Sequence, residues 1–543
     1  MRIEPYIGQP GQPLARDHKE RFASVAQLYA YDPQDPQTIQ RRADWLDTAG
    51  RPQADRSALA DTLRRYNETI GNAPEALEAI EALRDPRTLA VVGGQQAGLF
   101  TGPLLVMYKA ITALQAARAA SERLNRRVVP VFWIAGEDHD WDEVNHTHVL
   151  TDALSIHKIK LATVPEKRGP VSDVLVSRED WLAAIDELEG MLMNTEFKGP
   201  LLNQVRQACM ESDTLSLGFA RLLAQWFGAY GLILVDSADP ALRQLEAPMF
   251  RRLVEGEREL SACLMATQTL MQELGYKPQA EVRPDNANLF VLQDGERLLL
   301  SCEDGLYTDK RGELRLTRDQ LLQLAEAEPE RLSNNVMTRP LMQDYLLPVL
   351  SAVLGTSEIA YWGLLRPAFE QFGLQMPILT QRLEFTLVEG TLQKQMNKYD
   401  LQFEDVLLRY EEKKQAWLAG LGSTELAERF ADAKLRFTDM YKPIVDTIGA
   451  LNPGMRKLGE TNLQKIVEQI EFLETRANEA FASQFDTALR HWERLYVSLA
   501  PQGKPQERVY NALMYLVKYG DGWLKELIDM PLSPDDTHRI VYF

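Results

Sequence analysis

The residues between 89 and 150 constrain the fold more than any other stretch, because two short apolar runs flank a segment of helical length. The first run, 89–92, is followed by two glycines, which predicts a buried strand that ends in a tight loop. Pro103 then suits the first turn of a helix that ends near Asn125. The second run, 128–135, predicts another buried strand. The order of strand, glycine loop, helix and strand favours an α/β core with a parallel sheet.

Both loops of this unit lie where ligands usually bind, in the crevice outside the carboxyl ends of parallel strands. The first loop has backbone N–H groups at a helix N-terminus, which predicts a site for phosphate or carboxylate. Its sequence, GGQQAGLFTGP, is neither a Walker A loop nor GxGxxG, so a structural turn with glycines for close packing is the alternative. The predicted binding residues of this loop and the following helix are Gly93, Gln95, Gln96, Gly98, Thr101, Gly102 and Lys109.

The second loop is dense in acidic and imidazole side chains. Glu137, Asp138, His139 and Asp140 follow the strand directly, and Asn145 comes soon after. Such a group can hold an ammonium ion, bind a metal or supply a general base. Neither HExxH nor a paired CxxC occurs, so no metal ligand is assigned and the question of a metal stays open. The alternative is a solvated acidic surface, but the position directly after VVPVFWIAG argues against it.

We therefore predict that residues 137–140 are catalytic. In this hypothesis Asp138, His139 and Asp140 hold the amine of a substrate, and Asn145 contributes to binding. The imidazole of His139 would accept the proton of that amine, because its ordinary pKa of about 6.5 lies near neutral pH.

A third polar group surrounds the helix start at Pro340. Arg339 is suited to bidentate recognition of a carboxylate, whereas a surface ion pair between Arg339 and Asp344 is the alternative. The predicted substrate-binding or nucleotide-binding residues of this region are Asn334, Asn335, Arg339, Gln343, Asp344 and Trp362.

Five segments of the chain resemble the bacillithiol biosynthesis cysteine-adding enzymes, the BshC family. They are GGQQAGLFTGP, VPVFWIAGEDHDWDEVNH, RPLMQDYLLPVL, EIAYWGLLRPAFE and LNPGMRKLGETN, and the resemblance extends to Phe543. It implies a Rossmann-like core related to nucleotidylyl transferases and class I aminoacyl-tRNA synthetases, with connecting-peptide insertions and a C-terminal helical coiled coil. The implied activity is that of a ligase, which adds cysteine to glucosaminyl-malate in the last step of bacillithiol synthesis.

Together the patterns and the resemblance predict an α/β core at 1–382 and a helical coiled-coil domain at 383–543. Insertions into the core are expected at about 151–225 and 276–330.

Shorter patterns within the core predict single elements. Alternation at 288–292 before Asp294-Gly295 indicates a hairpin. The run 232–235 is expected to rejoin the main sheet, and 358–362 and 376–379 resemble further strands.

Joining a cysteine carboxyl to an amine requires an activated carboxyl, for which ATP or another nucleotide is the expected co-substrate. The intermediate would be a cysteinyl adenylate or a cysteinyl phosphate. LFTGP stands where a class I synthetase has its HIGH motif, which counts against the adenylate. The competing hypothesis is a non-catalytic nucleotide-binding scaffold that dimerises through its coiled coil. The two polar strand-end loops argue against it, because a scaffold does not need their desolvated charge.

Composition restricts the partners and the compartment. Lys and Arg total 60 against 78 Asp and Glu, so the net charge is -18 and general binding to nucleic acid or anionic membranes is not expected. The three cysteines are widely separated and form no metal motif. Without a signal peptide or an apolar run of membrane length, the protein is expected to be cytoplasmic and to act on small molecules.

The C-terminal region has a heptad pattern typical of a coiled coil. Four residues of its first seam are aromatic, whereas the facing seam at 463–480 includes Ala477 and Ala480. Small side chains cannot cover such rings, and exposed rings are costly in water, so we predict a homodimer through these helices. The first seam consists of Leu392, Met396, Tyr399, Phe403, Val406, Tyr410 and Trp417.

Overall fold

The computed structural model describes residues 1–6, 8, 11–420, 423–531 and 538–543. They form two compact units. The first unit consists of Met1–Thr386 with Gln506–Val541, and the second of Leu387–Pro505 with Tyr542–Phe543. No helix of the described residues is both long and apolar enough to cross a membrane.

The strands form four sheets. They are β1 (Arg2–Tyr6), β2 (Leu89–Gln95), β3 (Val128–Ile134), β4 (His146–Leu150), β5 (Ile156–Lys160), β6 (Ile233–Asp236), β7 (Asn286–Gln293), β8 (Glu296–Glu303), β9 (Leu306–Thr308), β10 (Arg315–Thr317), β11 (Leu332–Asn334), β12 (Val349–Leu354), β13 (Ile378–Gln381), β14 (Glu384–Val388) and β15 (His538–Tyr542). Besides the two five-stranded sheets described below, β4 pairs with β5, and a three-stranded sheet has the order β1-β15-β14.

The α-helices make up most of the remaining regular structure. They are α1 (Pro13–Glu20), α2 (Thr38–Leu46), α3 (Arg56–Thr69), α4 (Pro74–Ala82), α5 (Leu105–Leu124), α6 (Trp141–Val144), α7 (Arg178–Met191), α8 (Lys198–Met210), α9 (Leu215–Phe227), α10 (Pro240–Glu255), α11 (Glu257–Glu273), α12 (Arg318–Ala327), α13 (Arg339–Leu346), α14 (Thr356–Trp362), α15 (Arg366–Gln371), α16 (Gly390–Lys398), α17 (Phe403–Leu408), α18 (Tyr410–Gly420), α19 (Ser423–Leu451), α20 (Pro453–Gln484), α21 (Asp486–Leu499), α22 (Leu513–Tyr519) and α23 (Gly522–Asp529).

The main sheet of the first unit is parallel and has the order β13-β12-β2-β3-β6. Alternate residues of β2 contribute to separate hydrophobic clusters, with Ala90 and Val92 in one and Leu89 and Val91 in the other. Because successive side chains of a strand point to opposite faces, the sheet is covered on both sides. This architecture confirms the predicted α/β fold class.

The predicted strand, loop, helix and strand are confirmed by β2, α5 and β3, which pair and pack as one unit. Asn125 ends α5 in the left-handed conformation, with φ of 47°, as a helix C-cap often does. The run at 232–235 also rejoins this sheet, since β6 pairs with β3.

The prediction of a strand at 358–362 is wrong, because these residues lie in α14. The carboxylate of Glu358 accepts a hydrogen bond from the Gly355 N–H at 2.8 Å, which caps the start of that helix. The missed strand is β12, which lies between β13 and β2 in the sheet. A short apolar run such as VLSAVL between Pro348 and Gly355 is compatible with either a buried strand or a buried helix, so periodicity alone does not identify it.

The predicted hairpin is formed by β7 and β8, and the turn residues Asp294 and Gly295 have φ of 50° and 79°. Its sheet has the order β10-β9-β8-β7-β11, with antiparallel pairs throughout. β11 pairs with β7 through Leu332 and Val291, and this pairing anchors the hairpin to the segment that leads into α13.

The second unit contains the predicted long helical pair. α19 and α20 run antiparallel, since Lys434 pairs with Glu474 at 2.8 Å and Asp446 with Arg456 at 3.1 Å. The aromatic seam is not one helix, however. It is divided among α16, α17 and α18, and Asp400 between the first two has a positive φ of 52°.

The rings of that seam are covered within the chain by α21, which corrects the argument for the dimer. Trp492 of α21 lies 5.5 Å from Tyr399 and 5.7 Å from Trp417 between ring centroids, and Tyr496 stacks on Tyr410 at 4.4 Å. Phe403 is also buried. The sequence-based argument failed because it compared the rings with the alanines of α20 and overlooked α21.

Candidate active site

A cavity of about 630 Å³ opens at the carboxyl ends of β2, β3 and β12. This is the position in which parallel sheets bind ligands. Nine of the predicted site residues line it: Gln95, Gln96, Glu137, Asp138, His139, Asn334, Asn335, Arg339 and Gln343. The sequence analysis did not predict the other lining residues, among which are Phe290, Arg297, Glu358 and Tyr361. Nine predicted residues are not among the lining: Gly93, Gly98, Thr101, Gly102, Lys109, Asp140, Asn145, Asp344 and Trp362.

Gln95 and Gln96 of the glycine loop line this cavity, but the later part of the loop, at residues 98–104, is covered by the chain itself. Asn511 donates through Nδ2 to the carbonyl oxygens of Phe100 and Gly102, at 2.8 and 2.7 Å. The N–H of Leu104, at the start of α5, donates to the Tyr510 carbonyl at 2.8 Å. The helix N-terminus predicted to bind an anion is therefore occupied by the chain itself.

Close approach of the backbone explains why Gly98 and Gly102 of this loop are glycines. A Cβ on Gly98 would lie 2.8 Å from the Cα of Gly102, and Gly102 has a φ of 67°. Phe100 and Thr101 also have positive φ, of 52° and 74°. At residues 98–102 this geometry agrees with the structural turn that was the alternative to a binding site.

Lys109 does not line the cavity but contacts residues that do. Its Nζ is buried and donates to Glu358 Oε2 and the Gly94 carbonyl, both at 2.7 Å. It also donates to Gln95 Oε1 at 3.2 Å. Burial lowers the pKa of Lys109, whereas the neighbouring carboxylate of Glu358 opposes that shift. Lys109 thus fixes the end of β2 and the side chain of Glu358, which lines the cavity.

The other predicted residues outside the cavity have structural contacts. Asp140 caps α6 by accepting from the Glu143 N–H at 3.3 Å. Asn145 is buried and donates to Asp142 at 3.4 Å. Trp362 is buried as well.

Asp344 pairs with Arg42, and both side chains are buried. Burial raises the pKa of Asp344 to about 6, although Arg42 opposes the shift. Arg339 instead contacts Gln343 at 2.9 Å, so the surface pair between Arg339 and Asp344 does not form.

Glu137 is a buried anchor between the main sheet and β11. Its Oε2 accepts from Arg243 at 2.6 Å, from Ser333 Oγ at 2.7 Å and from the Asn334 N–H at 3.1 Å. Burial alone would raise the pKa of Glu137, but Arg243 and Arg297 outweigh it and hold the pKa below its usual value. Glu137 therefore stays ionised and positions β11 beside the cavity.

Arg243 is shared by two buried carboxylates. Besides Glu137, it contacts Glu246 at 2.7 Å, and the Glu246 side chain is fully buried. Burial raises the pKa of Glu246 to about 7 despite this contact. Glu137 has further donors from β11 whereas Glu246 does not, which explains why the two carboxylates shift in opposite directions.

Arg297 of β8 joins the hairpin to the acidic loop at 137–140. It donates through Nε to Ser333 Oγ at 2.9 Å, through one terminal nitrogen to the Asn334 carbonyl at 2.6 Å, and through the other to His139 Nδ1 at 3.0 Å. Its guanidinium lies 3.7 Å from the centroid of the Phe290 ring. A charged residue inside the apolar strand ERLLLSCE was the only sequence signal for this residue.

Asp138 presents a carboxylate to the cavity and is 33% exposed. Its Oδ2 accepts from Gln96 Nε2 at 2.5 Å, and its Oδ1 accepts from the His139 N–H at 2.8 Å. These bonds fix the direction of the carboxylate while part of it stays accessible. It is suited to hold an ammonium group.

Arg339 and Asn334 lie among the other polar groups of the cavity. The guanidinium of Arg339 contacts Gln343 at 2.9 Å and the Tyr361 hydroxyl at 3.5 Å, and it is suited to a ligand carboxylate. The amide of Asn334 is 2% exposed, and neither its oxygen nor its nitrogen has a hydrogen-bond partner in the described part of the chain. A buried amide of this kind needs partners, which a bound ligand could supply.

In the described residues, no group of three or more His, Cys, Asp or Glu side chains could hold a metal ion. The cavity brings together four polar groups: the accessible carboxylate of Asp138, the imidazole of His139, the guanidinium of Arg339 and the amide of Asn334. These groups can bind a small molecule that carries an amine together with carboxylates.

Comparisons with known proteins match the whole length of the chain. Residues 1–383 match the family model described as "Bacillithiol biosynthesis BshC, N-terminal Rossmann-like domain", and residues 385–543 match that of the "C-terminal coiled-coil domain". The chain is 37% identical over 538 residues to the "Putative cysteine ligase BshC" of Geobacillus kaustophilus, covering 97% of each chain. Proteins of the same name from Symbiobacterium thermophilum and Bacillus cytotoxicus are each 37% identical, covering 96% and 90% of each chain.

Proposed function

Because the chain belongs to the BshC family of bacillithiol biosynthesis proteins, we propose that it is the ligase that joins L-cysteine to the amine of glucosaminyl-malate. The observation that carries this proposal is the cavity in which Asp138 and Arg339 both present their charges. An amine substrate that also bears carboxylates requires both kinds of charge in one site. A non-catalytic scaffold requires neither.

Each group of the cavity has a role in binding under this proposal. Asp138 holds the amine of glucosaminyl-malate, and Arg339 binds a carboxylate. The amide of Asn334 has N–H donors and a carbonyl acceptor without partners in the described residues, which suits a hydroxyl group or a nucleobase edge. Within the glycine loop, Gln96 orients Asp138, whereas the covered residues 98–102 take no part.

We propose ATP or another nucleotide as the co-substrate that activates the cysteine carboxyl group. Arg339 and the Asn334 amide of the cavity fit the anionic oxygens and the polar edges of such a molecule. One carboxyl oxygen leaves with the phosphoryl or nucleotidyl group as the amide C–N bond forms. The amine nitrogen becomes positively charged in this step and gives its proton to Asp138. The intermediate is a cysteinyl adenylate or a cysteinyl phosphate.

The activity can be tested with purified protein, cysteine, glucosaminyl-malate and ATP. We expect mass spectrometry to detect the thiol-bearing amide product, and we expect its formation to stop when the nucleotide is omitted. Release of AMP would identify the adenylate, and release of ADP the acyl phosphate. Nucleotide binding without any product from ATP, GTP, CTP or UTP would favour the scaffold instead.

We also propose that the protein is a homodimer through α19 and α20. These helices expose several large apolar side chains, and Leu435, Leu458 and Leu473 are 60–62% exposed. Such side chains are the kind that a two-fold related copy covers. We expect light scattering to give twice the chain mass of 61.7 kDa, and the double variant Leu435→Glu/Leu473→Glu to be monomeric.

The control variant is Gln464→Glu on the same helix pair, which adds one charge at an exposed polar position and should remain dimeric. A single-chain mass for the wild type at micromolar concentration would contradict the proposal.

A further inference from the structure

The contact between Arg297 and His139 determines where the imidazole carries its proton. An arginine side chain has N–H donors and no acceptor, and it is not deprotonated in proteins. Its bond to Nδ1, at 3.0 Å, therefore requires that Nδ1 accept. An accepting Nδ1 has no hydrogen, so the neutral ring carries its hydrogen on Nε2.

Arg297 cannot easily turn away from this contact. The guanidinium is held by Ser333 Oγ and the Asn334 carbonyl, and it lies over the ring of Phe290. Its residue is 9% exposed. The arginine is thus a rigid donor aimed at the ring.

Asp138 does not compete for Nδ1. Its Oδ1 lies 3.7 Å from that nitrogen, beyond hydrogen-bond distance, and accepts from the backbone N–H of His139 instead. Among the residues that the structure describes, none contacts Nε2 through a hydrogen bond, and the ring lines the cavity. The Nε2–H group is therefore available to a ligand.

The charged surroundings of the ring also favour its neutral form. Burial and then Arg297 lower the pKa of His139, and Arg168 lowers it further. Asp138 and Asp140 act in the opposite direction but do not reverse the shift. The ring is therefore uncharged at neutral pH.

We propose that His139 is a neutral hydrogen-bond donor to a substrate oxygen through Nε2–H, and that Arg297 is the positioning residue that fixes this tautomer. The identity of the oxygen rests on the proposed function. It is the acyl oxygen of cysteine, which gains negative charge when the amine attacks. This role replaces the base predicted for His139 from the sequence, because a protonated Nε2 has no lone pair to accept a proton.

The tautomer can be measured without substrate, so this test is independent of the proposed function. In protein labelled with ¹⁵N-histidine, we expect His139 at pH 7 to show a pyridine-like Nδ1 and a pyrrole-like Nε2. The His139→Gln spectrum assigns the signal among the seven histidines. A pyrrole-like Nδ1 in the wild type, alone or together with a pyrrole-like Nε2, would overturn the inference.

The role of Arg297 is tested with Arg297→Met in the same experiment. Loss of the fixed donor should let the His139 signals move toward a mixture of both tautomers. Arg311→Met is the control, because Arg311 lies in the turn between β9 and β10 of the same sheet, contacts Glu296 at 3.2 Å and does not line the cavity. It should leave the His139 signals unchanged. If Arg297→Met also left them unchanged, Arg297 would not be the positioning residue.

Kinetics separate a donor from a base. Loss of one such donor to a developing oxyanion lowers kcat by a factor of about 10²–10³. We therefore expect His139→Ala to lower kcat by a factor in that range. The amide of His139→Gln provides an N–H near the position of Nε2, and it should recover about tenfold or more of that loss. Equal losses in both variants, together with loss of the acidic limb of the pH profile, would identify a base and overturn the donor role.

Discussion

Asp138→Asn is expected to lower kcat of the ligase reaction by about 10²–10⁴, the usual contribution of a positioned proton acceptor. The asparagine amide keeps the size of the side chain and loses the lone pair that accepts the amine proton. The hydrogen bond from the His139 N–H at 2.8 Å can be retained by the amide oxygen, so the loop should keep its conformation. Steady-state kinetics with cysteine, glucosaminyl-malate and ATP measure the effect.

Asp140→Asn is the matched control for this prediction. Asp140 lies two residues further along the same loop, but it caps α6 and does not line the cavity. Asparagine is an equally good N-cap, so this variant should retain its stability and its activity. If both variants lost activity equally, a general effect on the loop would explain the result better than proton transfer. Wild-type kcat in Asp138→Asn would exclude Asp138 as the base.

Arg243→Met is expected to destabilise the first unit by about 3–5 kcal/mol, because it removes the one cation that Glu137 and Glu246 share. Both carboxylates are nearly inaccessible, with side-chain exposures of 5% and 0%. Methionine fills a similar volume but leaves these charges unpaired. Chemical denaturation measures the loss as a lower free energy of unfolding. A change below about 1 kcal/mol would show that water or a rearranged side chain replaces the arginine.

Glu246→Gln is the contrasting variant at the same place. The folded-state pKa of Glu246 is about 7, above its ordinary value of 4.5. As the pH rises between these two values, Glu246 loses its proton in the unfolded protein but keeps it in the folded protein. The contribution of Glu246 to the free energy of unfolding therefore falls as the pH rises. Arg243 and Glu137 are the charged groups that face it. Glutamine does not titrate, and the free energy of unfolding should therefore decline less between pH 5 and 8 in this variant than in the wild type. Equal slopes in the two proteins would contradict the raised pKa.

The two expectations concern different parts of one arrangement. Asp138 acts at the cavity surface, whereas Arg243 acts behind Glu137, whose carboxylate holds Ser333 and Asn334. An Arg243 variant should therefore lose activity together with stability, but an Asp138 variant should lose activity alone. This difference distinguishes a group that contacts substrate from one that positions the site.

The sequence by itself determined the features that arise from local patterns. The parallel unit of β2, α5 and β3 follows from two apolar runs and a proline-started helix, and the hairpin follows from alternation around Asp294 and Gly295. The position of Asp138 at a strand end was also predictable, because ligands bind outside the carboxyl ends of parallel strands. The resemblance to the BshC family supplied the fold class and the two domain types, which the comparisons confirm.

Only the tertiary structure decided which polar groups meet. Arg297 lies 158 residues from His139 in sequence, and Asn511 lies 409 residues from Gly102, so no local pattern could pair them. The first contact is the basis of our proposal that His139 is a donor and not the base expected from the sequence. The second closes the helix N-terminus that was expected to bind an anion. The α21 helix covers the aromatic seam in the same way, through Trp492 and Tyr496. All three contacts have the same physical reason. Buried polar groups need hydrogen-bond partners and buried rings need apolar cover, and both are supplied by segments distant in sequence. The periodicity of a sequence predicts local elements and does not identify those distant segments.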